Sequence, residues 1–62
     1  MPIIRVSWVE ESTLEQRAKL AKGIAEAVES IGLQKQYVHV IFEEVPKDRW
    51  ALGGIMVSEM KL

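Results

Sequence analysis

Residues 3–9 read Ile-Ile-Arg-Val-Ser-Trp-Val, a run rich in β-branched side chains with partial alternation of apolar and polar positions. That period of two, with that composition, predicts a strand from Ile3 to Val9. Ile4, Val6 and Trp8 share one face, and Ile3, Arg5, Ser7 and Val9 share the other, whose mixed character suits a protein surface or pocket more than bulk solvent. Glu10-Glu11-Ser12 breaks the pattern, and the period changes to that of a helix. Thr13 with Gln16 spells a capping box, and Ser12 with Glu15 spells the same box one residue earlier. The helix is predicted from Leu14 to Ile31. Leu14, Ala18, Ala21, Ala25 and Val28 form its apolar stripe, widened by Leu20, Ile24, Ala27 and Ile31. Glu15 with Lys19 and Lys22 with Glu26 have i,i+4 spacing on the polar side. Gly32 stands where a helix stop is expected. Gly23, inside the helix, costs about 1 kcal/mol relative to alanine, and its bare backbone suits a tight contact with another subunit.

After the linker Gln34-Lys35-Gln36, alternation returns in Tyr-Val-His-Val-Ile-Phe-Glu and predicts a second strand from Tyr37 to Glu43. Val38, Val40 and Phe42 face one way; Tyr37, His39, Ile41 and Glu43 face the other. Glu44 to Asp48 reads as a turn region around Pro46. Residues 49–52 are an extended candidate, Gly53-Gly54 a turn, Ile55 to Val57 a short strand, and Ser58 to Leu62 a polar tail. A strand, a long helix and a second strand make a βαβ unit with parallel strands and a right-handed crossover. One helix covers only one face of such a sheet, although parallel sheets are normally covered on both. The bare face therefore calls for another copy of the chain, and the C-terminal hairpin is a candidate for pairing across that interface.

Composition sharpens this expectation. With 62 residues the chain is one domain, 1–62, and a body of that size buries only about 60% of its unfolded surface. Small domains make up the deficit with disulfides, metals or oligomerisation. The chain has no cysteine and one histidine, His39, which excludes disulfides, thiolate zinc sites and a multi-histidine metal site within one chain. Oligomerisation remains, in keeping with a hydrophobic content of 48%. A net charge of -1 with scattered basic residues gives no footprint for nucleic acid. No apolar run approaches a membrane span, and the N-terminus lacks the apolar core of a signal peptide, so the default compartment is the cytoplasm.

Most candidate chemistry has a plain structural reading. Glu10-Glu11 and Glu43-Glu44 are adjacent residues that point to opposite faces in a strand, so neither pair makes an acid–base dyad. Gly53-Gly54 lacks phosphate-loop spacing. The only aspartate, Asp48, lies in a turn, and no serine sits in a nucleophile elbow, which disfavours a catalytic triad. His39, beside Tyr37 and Ile41, reads first as a hydrogen-bonded structural residue. Trp50, between a charged turn and Gly53-Gly54, reads as an interface plug or a pocket wall. Met1-Pro2 is different. Initiator methionine is normally trimmed before a small residue, which would leave a secondary amine on Pro2 at the start of a strand, where proline has no ladder N–H to lose. An α-amino group ordinarily titrates near ~8, and burial or a nearby cation lowers that value enough to make a neutral general base.

Pro2 at the head of a strand, Leu14-Glu15-Gln16-Arg17 at the helix start, and Glu43-Glu44-Val45-Pro46-Lys47-Asp48 running through Trp50 to Gly53-Gly54 together resemble the small-subunit type of the 4-oxalocrotonate tautomerase family. The resemblance covers nearly the whole chain. It implies an α+β, β-α-β tautomerase fold with two parallel strands, one long helix and a short C-terminal hairpin. It implies assembly as a hexamer, a trimer of dimers, without metal or organic cofactor. Pro2 would be the general base that moves a proton between oxygen and carbon in an enol or dienol carboxylic acid. Trp50 matches an aromatic that walls the active site, Val9 an aliphatic position in the same pocket, and Tyr37 a position where a small hydroxyl residue is common. Two positions depart from the family pattern. Ser12 and His39 stand where arginines usually bind the substrate's carboxylate, draw electrons to its carbonyl and help keep the proline neutral. Serine has no bidentate fork and histidine is cationic only when protonated, which tells against 4-oxalocrotonate itself as the substrate. Arg5, Arg17 and Arg49 are candidate substitutes, from this or a neighbouring subunit, and Tyr37 or His39 is the candidate acid.

The leading expectation is a cofactor-independent tautomerase with catalytic Pro2 and with Val9, Ser12, Tyr37, His39 and Trp50 as substrate-binding residues. One alternative is a hydratase or dehalogenase of an unsaturated acid, with Pro2 protonated and acting as an acid. Another is a non-catalytic or partner-dependent subunit of a mixed hexamer in place of a homo-hexamer.

Overall fold

The computed structural model describes residues 1–60; Lys61 and Leu62, the end of the expected polar tail, lie outside the described residues. The first alternating segment becomes β1 (Ile3–Trp8) and the second becomes β2 (His39–Glu44), with the helix α1 (Leu14–Glu29) between them. β1 and β2 pair in parallel, in a register that runs from Ile3 opposite His39 to Trp8 opposite Glu44. A hairpin follows, β3 (Ala51–Leu52) and β4 (Ile55–Met56), antiparallel around Gly53 and Gly54. Both glycines have positive φ, 62° and 83°, which a tight hairpin turn with two left-handed central residues requires. Short 3-10 turns occupy Lys35–Tyr37, Lys47–Arg49 and Val57–Glu59.

The helix begins where the capping box places it. Thr13 Oγ1 accepts from the Gln16 backbone N–H at 3.1 Å, and Gln16 Oε1 accepts from the Thr13 N–H at 3.0 Å. The alternative box from Ser12 does not form, because Ser12 turns to β2 instead. The helix ends two residues before Ile31. The Ser30 hydroxyl donates to the Ala27 carbonyl, and the next two N–H groups close tight turns, Ile31 to Val28 at 3.2 Å and Gly32 to Glu29 at 2.9 Å. Gly32, at φ 97°, then reverses the chain toward β2.

Several expectations of detail change. Tyr37 ends a 3-10 turn and does not open β2, because its N–H bonds back to the Gln34 carbonyl and that of Val38 to the Lys35 carbonyl. Val57 likewise leaves β4 for the turn after it. Neither expected i,i+4 pair forms an ion pair among the described residues; Glu26 lies 3.9 Å from Lys35 instead. The helix packs on the sheet through Arg17, Ala21, Ile24, Ala25 and Val28, while Leu14, Ala18, Leu20 and Ile31 remain exposed. Two strands about 5 Å apart are narrower than a helix about 10 Å across, so only one strip of the apolar surface is covered.

Under that strip lie Ile4, Val6, Trp8, Val40 and Phe42, all half-buried. The Trp8 and Phe42 rings stack with centroids 6.1 Å apart, and the Trp8 indole N–H is buried without a hydrogen-bond partner. The opposite face carries Ile3, Arg5, Ser7, His39, Ile41 and Glu43, all exposed, with Arg5 and Glu43 paired at 3.1 Å. Among the described residues only Val57 is a buried hydrophobe. The radius of gyration is 14.6 Å, against about 11 Å for a self-contained domain of this length. The accessible surface is 5095 Å², against roughly 4,000 Å² for a compact monomer of this mass. The excess, on the order of 1,000 Å², is what one side of a standard protein interface buries.

Candidate active site

The parallel register decides which site candidates can meet. Because Ile3 lies opposite His39, the residues just before each strand are neighbours, and Pro2 sits beside the turn that carries Tyr37. The His39 N–H donates to the Pro2 carbonyl at 2.9 Å, which ties the proline to the head of β2. Pro2 is half-buried and lines a mostly apolar cleft of about 470 Å³ with Met1, Gly32, Leu33, Gln34 and Tyr37. Gly32, Leu33 and Gln34 gave no chemical signal in the sequence; the positive φ of Gly32 is what folds that linker back over the proline. Met1 is 81% exposed. The His39 side chain points away from this cleft, onto the bare sheet face.

At the other end of the strands a second cavity, of about 810 Å³, is lined by Val9, Glu10, Glu11, Ser12 and the Glu44–Lys47 segment. The Val45 N–H donates to the Trp8 carbonyl at 2.9 Å and prolongs the strand pairing into this rim. Ser12 donates twice to Glu44 Oε2, from its backbone N–H at 2.6 Å and from its hydroxyl at 3.1 Å. One nitrogen of Arg17 donates to the Ser12 carbonyl, to Ser12 Oγ at 3.0 Å and to Glu44 Oε1 at 3.2 Å. In the sequence Glu44 lies far from Ser12 and Arg17, and there Arg17 reads as a candidate carboxylate binder and Glu44 as structural charge. Fold geometry joins them, since Ser12 precedes the helix and Glu44 closes β2. The Glu44 carboxylate also sits near the positive end of the α1 dipole. Arg5 is occupied by Glu43, while Arg49 makes no ion pair among the described residues.

The two ends do not meet within one chain. The six residues of β1 separate Pro2 from Val9, roughly 23 Å over seven steps at the usual rise. Trp50 belongs to neither cleft; it is half-buried at the start of the hairpin, where its carbonyl accepts from the Val57 N–H at 2.7 Å. One chain thus joins Pro2 with Tyr37, and Val9 with Ser12, and leaves the His39 side chain and Trp50 apart from both. No group of three or more metal-ligating side chains occurs among the described residues, and none of their helices is long and apolar enough to cross a membrane.

The model of the family described as "Tautomerase enzyme" matches residues 2–60, starting at the proline that lines the first cleft. This chain belongs to the tautomerase family. It is 40% identical to a probable tautomerase of Staphylococcus epidermidis over 95% of this chain and 98% of that one. It is 36% identical to the 2-hydroxymuconate tautomerase of Bacillus subtilis over 98% of this chain and 100% of that one. The crystallised heterohexamer 4-oxalocrotonate tautomerase of Chloroflexus aurantiacus superposes with a TM-score of 0.84 at 31% identity, covering 98% of this chain and 100% of its own. These relatives establish the β-α-β tautomerase fold and place the chain among tautomerases, a class of isomerase.

Proposed function

We propose that this tautomerase moves a proton in an enol or dienol carboxylic acid without a cofactor, with the amine of Pro2, freed by loss of Met1, as general base. The observation that carries the reading is the placement of Pro2. Its carbonyl is fixed by His39, its ring lines an apolar cleft, and the residue before it is exposed to a trimming aminopeptidase. Apolar surface beside a secondary amine favours its neutral form over its charged one, which is the form a base needs. Tyr37, the phenol in the same cleft, is the candidate acid. It would donate its phenolic proton to the other end of the enol system, and the proton taken up by Pro2 would pass back to the phenolate through solvent.

The remaining candidates enter from other copies of the chain. The bare sheet face, the surplus surface and the roughly 23 Å between Pro2 and Val9 support a closed assembly in which Val9, Ser12, His39 and Trp50 complete the pocket across interfaces. A hexamer is the assembly proposed. Light scattering at micromolar concentration is expected to give a closed multimer; a folded monomer contradicts this part of the proposal.

Activity is tested on phenylenolpyruvate with protein whose intact mass shows Met1 removed. A rate that rises with pH through the titration of the amine supports the base. A rate that falls over the same range supports the hydratase or dehalogenase chemistry, with protonated Pro2 as acid. A partner-dependent subunit is the second reading, favoured by the heterohexameric relative and by the absence of a guanidinium at Ser12 and His39. It predicts activity only on mixing with a paralogue.

A further inference from the structure

We propose that the cavity around Ser12 makes this enzyme select enol acids that carry one carboxylate and an uncharged aryl or alkyl far end, and reject those with a second carboxylate. The inference rests on the reading above, in which this rim forms the far wall of the pocket. Its own support is the hydrogen bonding of the rim. Both donors of Ser12, the N–H and the hydroxyl, go to one oxygen of Glu44. The Arg17 nitrogen that reaches the rim is shared between Ser12 and the other Glu44 oxygen. Glu44 therefore already occupies the donors that an incoming carboxylate would use, and it does so intramolecularly, from a fixed strand end. A second substrate carboxylate would have to displace it or go unbonded.

The charge around the rim acts in the same direction. Glu10, Glu11 and Glu44 line the cavity with one lysine, Lys47, and Glu44 is paired to Arg17 behind the rim. Lys47 makes no ion pair among the described residues, and its long exposed side chain is a weakly held counter-charge. Glu10 and Glu11 make no ion pair among the described residues, and a second substrate carboxylate set against them is disfavoured. Val9, Val45 and Pro46, in the same lining, offer apolar surface to an uncharged end. Selection here comes from the repulsive element as much as from the attractive one.

The test uses the trimmed, assembled protein and two acids that cannot undergo the proton shift, trans-cinnamate with one carboxylate and trans,trans-muconate with two. Calorimetric titration is expected to give cinnamate at least roughly tenfold tighter binding, the size of effect that one misplaced charge produces. Glu44→Gln keeps an acceptor for Ser12 and removes the charge, so it is expected to bring the two affinities to within about threefold. Lys47→Glu, at an exposed position, is expected to widen the gap. Circular dichroism and light scattering establish that each variant is folded and assembled, and Lys47→Glu together with wild type carries the test if Glu44→Gln is not. Muconate binding as tightly as cinnamate overturns the proposal, and so does failure of both to bind. Turnover of phenylenolpyruvate by the same preparation reports separately on Pro2. An inactive protein that still discriminates between the acids contradicts the base and leaves the selectivity standing.

Discussion

At the leading ends of β1 and β2, Pro2 and Tyr37 border an apolar cleft, and one cross-strand hydrogen bond, His39 to Pro2, fixes the proline. At the trailing ends, Ser12, Arg17 and Glu44 are cross-linked by five hydrogen bonds, three of which join the helix start to the end of β2. The first end sets the half-buried Pro2 against a mostly apolar cleft with few polar partners, which is compatible with the base proposed above. The second has its donors and its central carboxylate already engaged, which suits a structural clamp that also forms a pocket rim. A reactive group has to remain incompletely satisfied, whereas a clamp is useful because it is satisfied. Substitutions at the two ends should therefore fail in different ways, the first in rate and the second in stability.

Among side-chain substitutions the largest effect is expected from Pro2→Ala. The trimmed variant keeps an amine in place but loses the fixed ring and some basicity, so kcat/KM should fall roughly 10²-fold with the assembly intact. Loss of the assembly at the same protein concentration would instead make Pro2 a structural residue. Glu44→Ala is the matching change at the other end. It leaves the Ser12 donors and Arg17 without their shared acceptor and should destabilise by about 2 kcal/mol, read as a lower urea midpoint at matched protein concentration. An unchanged midpoint would reduce the clamp to a surface ion pair. The smallest of the three is His39→Arg, which fixes a positive charge next to the proline's strand. It should raise kcat/KM on carboxylated enols roughly tenfold. No gain, with the fold intact, would mean that the bare face around His39 does not meet the substrate.

Much of the fold could be read from the chain because local signals agreed. The Thr13–Gln16 box, the two β-branched runs and Gly53-Gly54 each mark an element that forms where expected. The misses have local causes. The Ser30 hydroxyl and two tight turns end the helix early, and a backbone bond to Gln34 draws Tyr37 out of the strand. Pro2 could be singled out from the chain alone, since the role proposed for it depends on one residue and its place at a strand start. The clamp was not legible, because Ser12, Arg17 and Glu44 meet only once the parallel register is fixed, and no spacing along the chain announces that meeting. Val9 and Trp50 remained single positions for the same reason. In the proposed assembly their partners come from other copies of the chain, and a half-buried apolar side chain in one copy does not say what covers the rest of it.

The central claim is that the Pro2 nitrogen is the base, and it is tested most directly by blocking that nitrogen without changing any side chain. Protein retaining Met1, prepared in cells lacking the trimming aminopeptidase and verified by intact mass, carries an amide at Pro2 with no basic lone pair. Its turnover of phenylenolpyruvate should be compared with that of the trimmed protein at equal concentration of assembled protein. The account predicts a loss on the order of 10²-fold or more, the contribution of a positioned general base, and a larger loss than that of Pro2→Ala. Equal rates for the Met1-retaining and trimmed forms would contradict it.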